Sequence, residues 1–343
     1  MSIKEKILVT GGVGYIGSHT VVELIQQGFE VYIIDNLSNS KIEVLDAIQK
    51  ITGIKPHFTQ LDLCDRNTVN QYFSMHKDIK AIVHFAAFKA VGESVAEPLK
   101  YYHNNIASLV NILEAAKNNN ITNIVFSSSC TVYGQPEKLP VTEESPIIPA
   151  ISPYGFTKQM GEVILRDYVS AHSTKVISLR YFNPIGAHES ALIGEYPNGV
   201  PNNLVPFITQ TAIGLRKQLT VHGNDYGTND GSCIRDYINV VDLAKAHVVA
   251  IKRLIENRNK SNFEVFNIGT GQGTTVLEVI TTFEKISGTK LNYVIGPRRA
   301  GDVEKVYADT SLANKELGWK SEETLENTIL SSWNWEKKIN GKT

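Results

Sequence analysis

The sequence predicts an α/β protein: a doubly wound parallel sheet followed by a smaller C-terminal α/β lobe. Short β-branched runs alternate with helical patterns through the first 180 residues. Those runs are apolar throughout rather than alternating, as strands covered on both faces must be. Strands separated by helices must also lie parallel, joined by right-handed crossovers.

The elements follow in order. Lys6-Ile7-Leu8-Val9-Thr10 reads as the first strand and runs into glycines. Residues 15–27 read as a helix with Ile16, Thr20, Leu24 and Gln27 on one stripe, stopped by Gly28. The second strand is 30–35 and the next helix 40–50, with Ser40 as its cap and Glu43 in its first turn. Strand 57–61, helix 65–75, strand 81–85, helix 98–118, strand 123–127, helix 154–171 and strand 175–180 complete the alternation. Residues 183–203 are rich in Gly, Pro and Asn and read as a long loop across a binding face. Beyond it come helices at 204–214, 240–256 and 276–287, strands at 219–222 and 265–268, a strand-like 291–295 and a helical C-terminus. The expected division is 1–180 and 181–343, with a segment around 235–262 returning to the first unit.

Composition narrows the function. Of 343 residues 42% are hydrophobic and 20% charged, enough to bury a large core. A formal net charge of -1 leaves no broad basic footprint for nucleic acid. No apolar run is long enough to span a bilayer, and the N-terminus lacks a secretory h-region, so a cytoplasmic protein is expected. Cys64, Cys130 and Cys233 are too few and too scattered for a metal site, and Cys130 is expected to act as a small buried hydrophobe.

Thr10-Gly11-Gly12-Val13-Gly14-Tyr15-Ile16-Gly17 lies between the first strand and first helix. Gly11 suits a tight turn, Gly14 a close backbone approach to a pyrophosphate, and Gly17 a close helix–strand contact. The helix N-terminus adds free N–H groups and a positive dipole end. With Asp35 ending the next strand, this is the Rossmann-type dinucleotide fingerprint. Asp35 can accept from both ribose hydroxyls and would repel a 2′-phosphate, while 36–40 contain no arginine to receive one. NAD is therefore expected rather than NADP. Asp62, ending the third strand, is placed for an adenine amino group or for a simple turn.

Tyr154 and Lys158 stand four residues apart, one turn along a helix, about 6 Å on one face. A phenol is a poor base at neutral pH, but a nearby ammonium and a positive nicotinamide ring favour the phenolate. Ser127-Ser128-Ser129 follows the fifth strand, at the sheet edge where doubly wound proteins bind ligands. Glycine loop, serine triplet and Tyr/Lys pair occur in the order of the short-chain dehydrogenase/reductase superfamily, and the chain length resembles its extended branch. The segments 85–94 (FAAFKAVGES), 127–134 (SSSCTVYG), 179–188 (LRYFNPIGAH), 201–204 (PNNL), 223–226 (GNDY), 235–237 (RDY) and 298–302 (RRAGD) resemble the UDP-glucose 4-epimerase family across nearly the whole chain.

That resemblance implies NAD, a UDP-hexose substrate and reversible inversion at C4 through a transient 4-keto sugar. It implies Tyr154 as base and then acid, Lys158 as its partner and Ser129 as donor to the C4 oxygen. Cofactor positions implied are Gly11, Gly14, Tyr15, Ile16, Gly17, Asp35, Asn36, Ser40, Asp62, Leu63, Phe85, Ala86, Ala87, Lys89, Asn104, Ser127 and Phe182, besides Tyr154 and Lys158. Substrate positions implied are Ser129, Tyr154, Asn183, Asn203, Leu204, Arg235, Arg298, Asp302 and Val306. Arginine suits a diphosphate because its planar fork bonds two oxygens, although Arg235 and Arg298 could instead pair with acids such as Asp236 and Asp302. Where some family members carry a large tyrosine, Val306 leaves room beside the sugar C2 substituent, so UDP-N-acetylhexosamines are expected to fit.

Sugar-nucleotide 4,6-dehydratases share the glycine loop and Tyr/Lys pair but carry Asp-Glu after the serine segment. Here Cys130-Thr131 supplies no carboxylate. Epimerases acting on UDP-glucuronate or solely on UDP-N-acetylglucosamine stay open, as does a non-catalytic NAD-sensing regulator. Leu109, Ile112, Val163 and Leu165 could serve the core or a homodimer interface formed by the two long helices.

Overall fold

The computed structural model describes residues 4–299 and 303–342. The alternation predicted for the first half is present: β1 (Lys6–Thr10), α1 (Tyr15–Gln26), β2 (Glu30–Asp35), α2 (Val44–Thr52), β3 (His57–Gln60), α3 (Arg66–Met75) and β4 (Ile79–His84). Then come α4 (Val91–Ala96), α5 (Pro98–Asn118), β5 (Asn123–Ser129), a 3-10 turn over Cys130–Tyr133, α6 (Pro153–Ala171) and β6 (Lys175–Tyr181). The second half holds β7 (Asn183–Ile185), α7 (Leu204–Ala212), β8 (Leu219–His222), β9 (Ile234–Arg235), β10 (Tyr237–Asn239), α8 (Val240–Ile255) and β11 (Phe263–Ile268). It ends with β12 (Thr274–Thr275), α9 (Val276–Ser287), β13 (Tyr293–Gly296), β14 (Lys305–Val306) and α10 (Leu325–Ile339).

Seven strands form one parallel sheet in the order β11-β6-β5-β4-β1-β2-β3. Chain order reverses between β1 and β4, and ligands bind such sheets outside the carboxyl ends at this switch point. In β1 the alternate residues Ile7 and Val9 feed one core layer and Leu8 the other. All three are fully buried, so both faces contribute, about 1.5–3 kcal/mol for each such side chain. The helix α8 packs on α1, and β11 adds the seventh strand beyond β6. A third core unites α7, α9 and α10 around Ile208, Phe283 and Ile329, and the small sheets β8/β13 and β12/β9/β14 belong to this second half.

The structure corrects several expectations. The second helix begins at Val44, not at Ser40. Ser40 is no helix cap, because Glu43 holds the N-cap position of this helix; the Ser40 hydroxyl donates to Asp35 Oδ1 at 2.9 Å. Gln27 is exposed, outside the buried stripe of α1. Residues 183–203 are not loop throughout, because β7 pairs in parallel with β10. The helix α4 and the two-residue strands lie below the length at which periodicity is readable. Leu109, Ile112 and Leu165 are buried core residues, whereas Val163 is 56% exposed.

Candidate active site

A cleft of about 1640 Å³ runs along the carboxyl ends of the sheet, from the glycine loop to the second half of the chain. Its floor begins at Gly11, Gly14, Tyr15, Ile16 and Gly17. Gly11 has φ of +70°, and a Cβ there would sit 2.9 Å from the Ala86 amide; a methyl on Gly17 would overlap the Gly11 carbonyl. No side chain caps the first turn of α1 and no acidic residue stands in it, leaving its N–H groups and positive dipole end for an anion. Asp35 is fixed by the Val13 and Leu37 amides at 3.2 and 2.9 Å. Asn36, Ser40, Asp62 and Leu63 line the same end; Asp62 accepts from the Cys64 amide at 2.8 Å, as a turn aspartate does. The set fits a dinucleotide: an uncapped helix N-terminus for the diphosphate and a held carboxylate for a ribose.

Phe85, Ala86, Ala87, Lys89 and Asn104 continue the lining beyond β4. Lys89 Nζ donates to Glu195 Oε1 at 3.0 Å, and Asn203 Nδ2 donates to the same oxygen at 2.6 Å. Glu195 was not singled out in the sequence, yet it joins a residue expected at the cofactor to one expected at the sugar nucleotide. It lies in an irregular segment where spacing carries no signal.

Ser127, Ser129, Tyr154 and Lys158 converge at the middle of the cleft. The β5 strand delivers the serines, and α6 delivers Tyr154 and Lys158 from its first two turns. Ser152 caps α6 by accepting from the Gly155 amide at 3.2 Å, and Pro153 stands in its first turn, so the helix starts where the tyrosine is needed. Gly161 lets α6 approach β5: a Cβ there would lie 2.7 Å from the Phe126 ring. Lys158 Nζ donates to the Ser127 carbonyl at 2.6 Å and stands 5.9 Å from the Tyr154 ring centre. Burial pushes the Tyr154 phenol up to about 12, against a hydrogen bond with Ser129. Burial lowers Lys158 to about 7, and the Glu162 carboxylate opposes it. The neighbouring lysine therefore does not by itself bring the tyrosine near neutrality, and the expected base needs a further positive charge.

Phe182, Asn183, Asn203, Leu204, Arg235 and Val306 close the far side. Val306 is buried and pairs with Arg235 across β14 and β9. Arg235 does not pair with Asp236, which is fully buried and accepts from Thr270, Gly271 and Ala308. Arg298 lies off the cleft lining, bonded to Asp225 Oδ1 at 2.8 Å and seated over the Tyr226 ring. Its neighbour Arg299 lines the cleft instead. Two adjacent arginines in an extended segment point to opposite sides, and nothing in their sequence says which faces inward. Asp302 lies outside the described residues. Cys130 is half-buried, packed beside the cluster of Val132, Tyr133 and Phe182. Among the described residues no group of His, Cys, Asp and Glu could hold a metal ion.

A family profile described as GDP-mannose 4,6 dehydratase matches residues 8–331. The UDP-glucose 4-epimerase of Bacillus subtilis is 50% identical over 337 residues, covering 98% of both chains. The Bifidobacterium longum UDP-glucose 4-epimerase in complex with NAD+ and UDP superposes with a TM-score of 0.94 at 46% identity, covering 98% of this chain and 100% of that one. The Stenotrophomonas maltophila enzyme, with bound NAD and formylated UDP-arabinopyranose, gives a TM-score of 0.94 at 45% identity, covering 98% and 99%. Cys130 and Thr131 follow the serine segment without the carboxylates a dehydratase uses. Sheet order, cleft and relatives agree: the chain belongs to the UDP-glucose 4-epimerase family of extended short-chain dehydrogenases/reductases.

Proposed function

We propose that this chain interconverts UDP-glucose and UDP-galactose by inverting C4 of the sugar, with NAD as its resident cofactor. The observation that carries this is the meeting of Ser129, Tyr154 and Lys158 midway along one cleft, between the uncapped glycine-loop helix and two arginines. Bound NAD supplies reversible hydride acceptance. The chain supplies the rest. Tyr154 takes the proton of the C4 hydroxyl as the C4 hydride departs, and returns it to the C4 oxygen after the 4-keto sugar has turned its other face. Ser129 donates to that oxygen, and Lys158 holds positive charge beneath the phenol. Arg235 and Arg299 grip the diphosphate, so the nucleotide stays while the sugar turns.

Residues 1–180 are assigned to NAD and 181–343 to the UDP-sugar, with 235–262 returning to the first unit. The buried valine at 306 is proposed to admit an N-acetyl group at C2, so UDP-N-acetylgalactosamine is also a substrate. We assign a homodimer to the apolar face of α5 and α6, where Leu99 is 79%, Val163 56% and Phe156 45% exposed. Light scattering on a Leu99→Asp/Val163→Asp variant is expected to give a monomer where the parent gives a dimer. No helix among the described residues is long and apolar enough to cross a membrane, and a cytoplasmic setting is proposed. The function is tested by turnover of UDP-galactose to UDP-glucose without added NAD; no turnover, with or without NAD, sinks it.

A further inference from the structure

The serine triplet is fastened to α6 at three successive points. Ser127 gives its carbonyl to Lys158, Ser129 bonds Tyr154, and the middle residue, Ser128, donates its hydroxyl to Glu162 Oε1 at 2.7 Å. Ser128 faces away from the chemistry and is fully buried. Glu162 also accepts from Ser178 at 2.9 Å and from Arg180 Nε and Nη2 at 2.9 and 2.5 Å. This carboxylate and guanidinium are 3% and 1% exposed. Isolated charges at such depth cost several kcal/mol, and a two-point fork with further donors is the arrangement that offsets it. Arg180 is tied onward to Tyr133 at 3.0 Å, and Tyr133 to Asn267 of β11 at 2.6 Å.

We propose that Glu162, locked by Arg180, is the positioning residue that holds the serine strand in register with the catalytic helix and keeps Lys158 charged beneath Tyr154. This rests on Tyr154 and Lys158 being the reacting pair. Glu162 stands one helical turn beyond Lys158 on the same face of α6. The other groups around the pair cannot take its place. His84 of β4 is buried and neutral, Tyr181 of β6 and Tyr101 of α5 are neutral phenols, Cys130 is a neutral thiol, and Arg180 has the wrong sign. Arg166 reaches Glu162 only at 4.0 Å, from the surface. Among the described residues Glu162 is thus the one negative charge set against the burial of this ammonium. Burial alone would raise its own carboxyl, and Arg180 with the two serines holds it below the ordinary range.

The test compares parent holoenzyme with Glu162→Gln/Arg180→Gln, which removes both charges and leaves no orphan ion, and with Ser128→Ala. Two readings are taken: kcat for UDP-galactose from pH 6 to 9.5, and the titration of the Lys158 amine by NMR of ζ-15N-lysine enzyme. The Lys158 signal is assigned by its loss in Lys158→Met. A carboxylate favours the ammonium and a guanidinium disfavours it, but Glu162 is the charge that acts on Lys158 and Arg180 is not, so removing the pair moves loss of the charged lysine to lower pH. The double variant is expected to lose activity about tenfold more than the parent at pH 9 while KM changes little, with the Lys158 titration moved the same way. A purely structural part would lower kcat equally at every pH. A folded double variant with the parent's basic limb and Lys158 titration overturns the inference. Should that variant not fold, Ser128→Ala decides, because it leaves both charges in place: lowered kcat at unchanged KM supports the positioning role, and parental kcat refutes it. A parent inactive on UDP-galactose would defeat the reading of the reaction, while the amine titration would still judge Glu162.

Discussion

At the residue scale, Tyr154 is held in a state opposite to the one its work requires. It is a buried phenol pushed up to about 12, and a base near pH 7 arises there only with added positive charge. Tyr154→Phe is expected to lower kcat by about a thousandfold or more while UDP still binds, and Ser129→Ala by about a hundredfold. Single-turnover kinetics and a UDP-binding titration check both. The arginines give a sharper contrast. Arg299→Ala is expected to raise KM for UDP-galactose by roughly tenfold to a hundredfold, the loss of one charge-assisted bond. Arg298→Ala is expected to stay within threefold, since Arg298 is spent on Asp225 at the surface. Equal effects from the two would contradict the placement. The pair also marks where reading stops: the motif names two arginines, and only the fold decides between them. Tyr154, Lys158 and Ser129 were legible because regular elements carry them at fixed spacing. Glu195 and Glu162 were not, the first lying in an irregular segment and the second resembling any helical glutamate.

At the element scale, the site depends on how closely α6 lies on β5. Gly161→Ala would place a methyl 2.7 Å from the Phe126 ring and force the helix outward. The expected result is a kcat loss of about a hundredfold, from displacement of the Tyr/Lys pair by a fraction of an ångström, with a Tm drop of a few degrees. A full Tm loss with unchanged kcat would show that the helix position is not limiting. Strands buried on both faces were readable as apolar runs, and α5 begins and ends where its proline and asparagine indicate. The two-residue strands β9, β12 and β14 were not, because a pairing that short leaves no period. Ser40 shows the same limit differently: a serine before a helical pattern reads as a cap, but the helix starts only at Val44 and the hydroxyl donates to Asp35.

At the scale of the whole molecule, burial sets how stability varies with acid. His19, His84 and His247 are buried and held neutral, with burial lowering them to about 3, 3 and 4. In the unfolded chain each takes a proton near pH 6.5. The native state therefore binds fewer protons, and the stability these groups contribute is complete above pH 6.5 and is lost as pH falls toward 4. Three such protons correspond to a slope of about 4 kcal/mol per pH unit. Tm is expected to fall by roughly 10 °C or more between pH 7 and pH 5, and a flat profile over that range would contradict the buried neutral imidazoles. The division of labour in the molecule was legible in outline, since the glycine loop opens the chain and the arginines close it. The seventh strand was less so, because a strand from residues 263–268 joins a sheet otherwise complete by residue 181. The most direct measurement is epimerisation of UDP-galactose and UDP-N-acetylgalactosamine by the purified protein without added NAD. Turnover of UDP-galactose is the predicted result, with the second substrate turned over as well and its share reduced in Val306→Tyr. Turnover of neither, even with NAD supplied, would contradict the account at its centre.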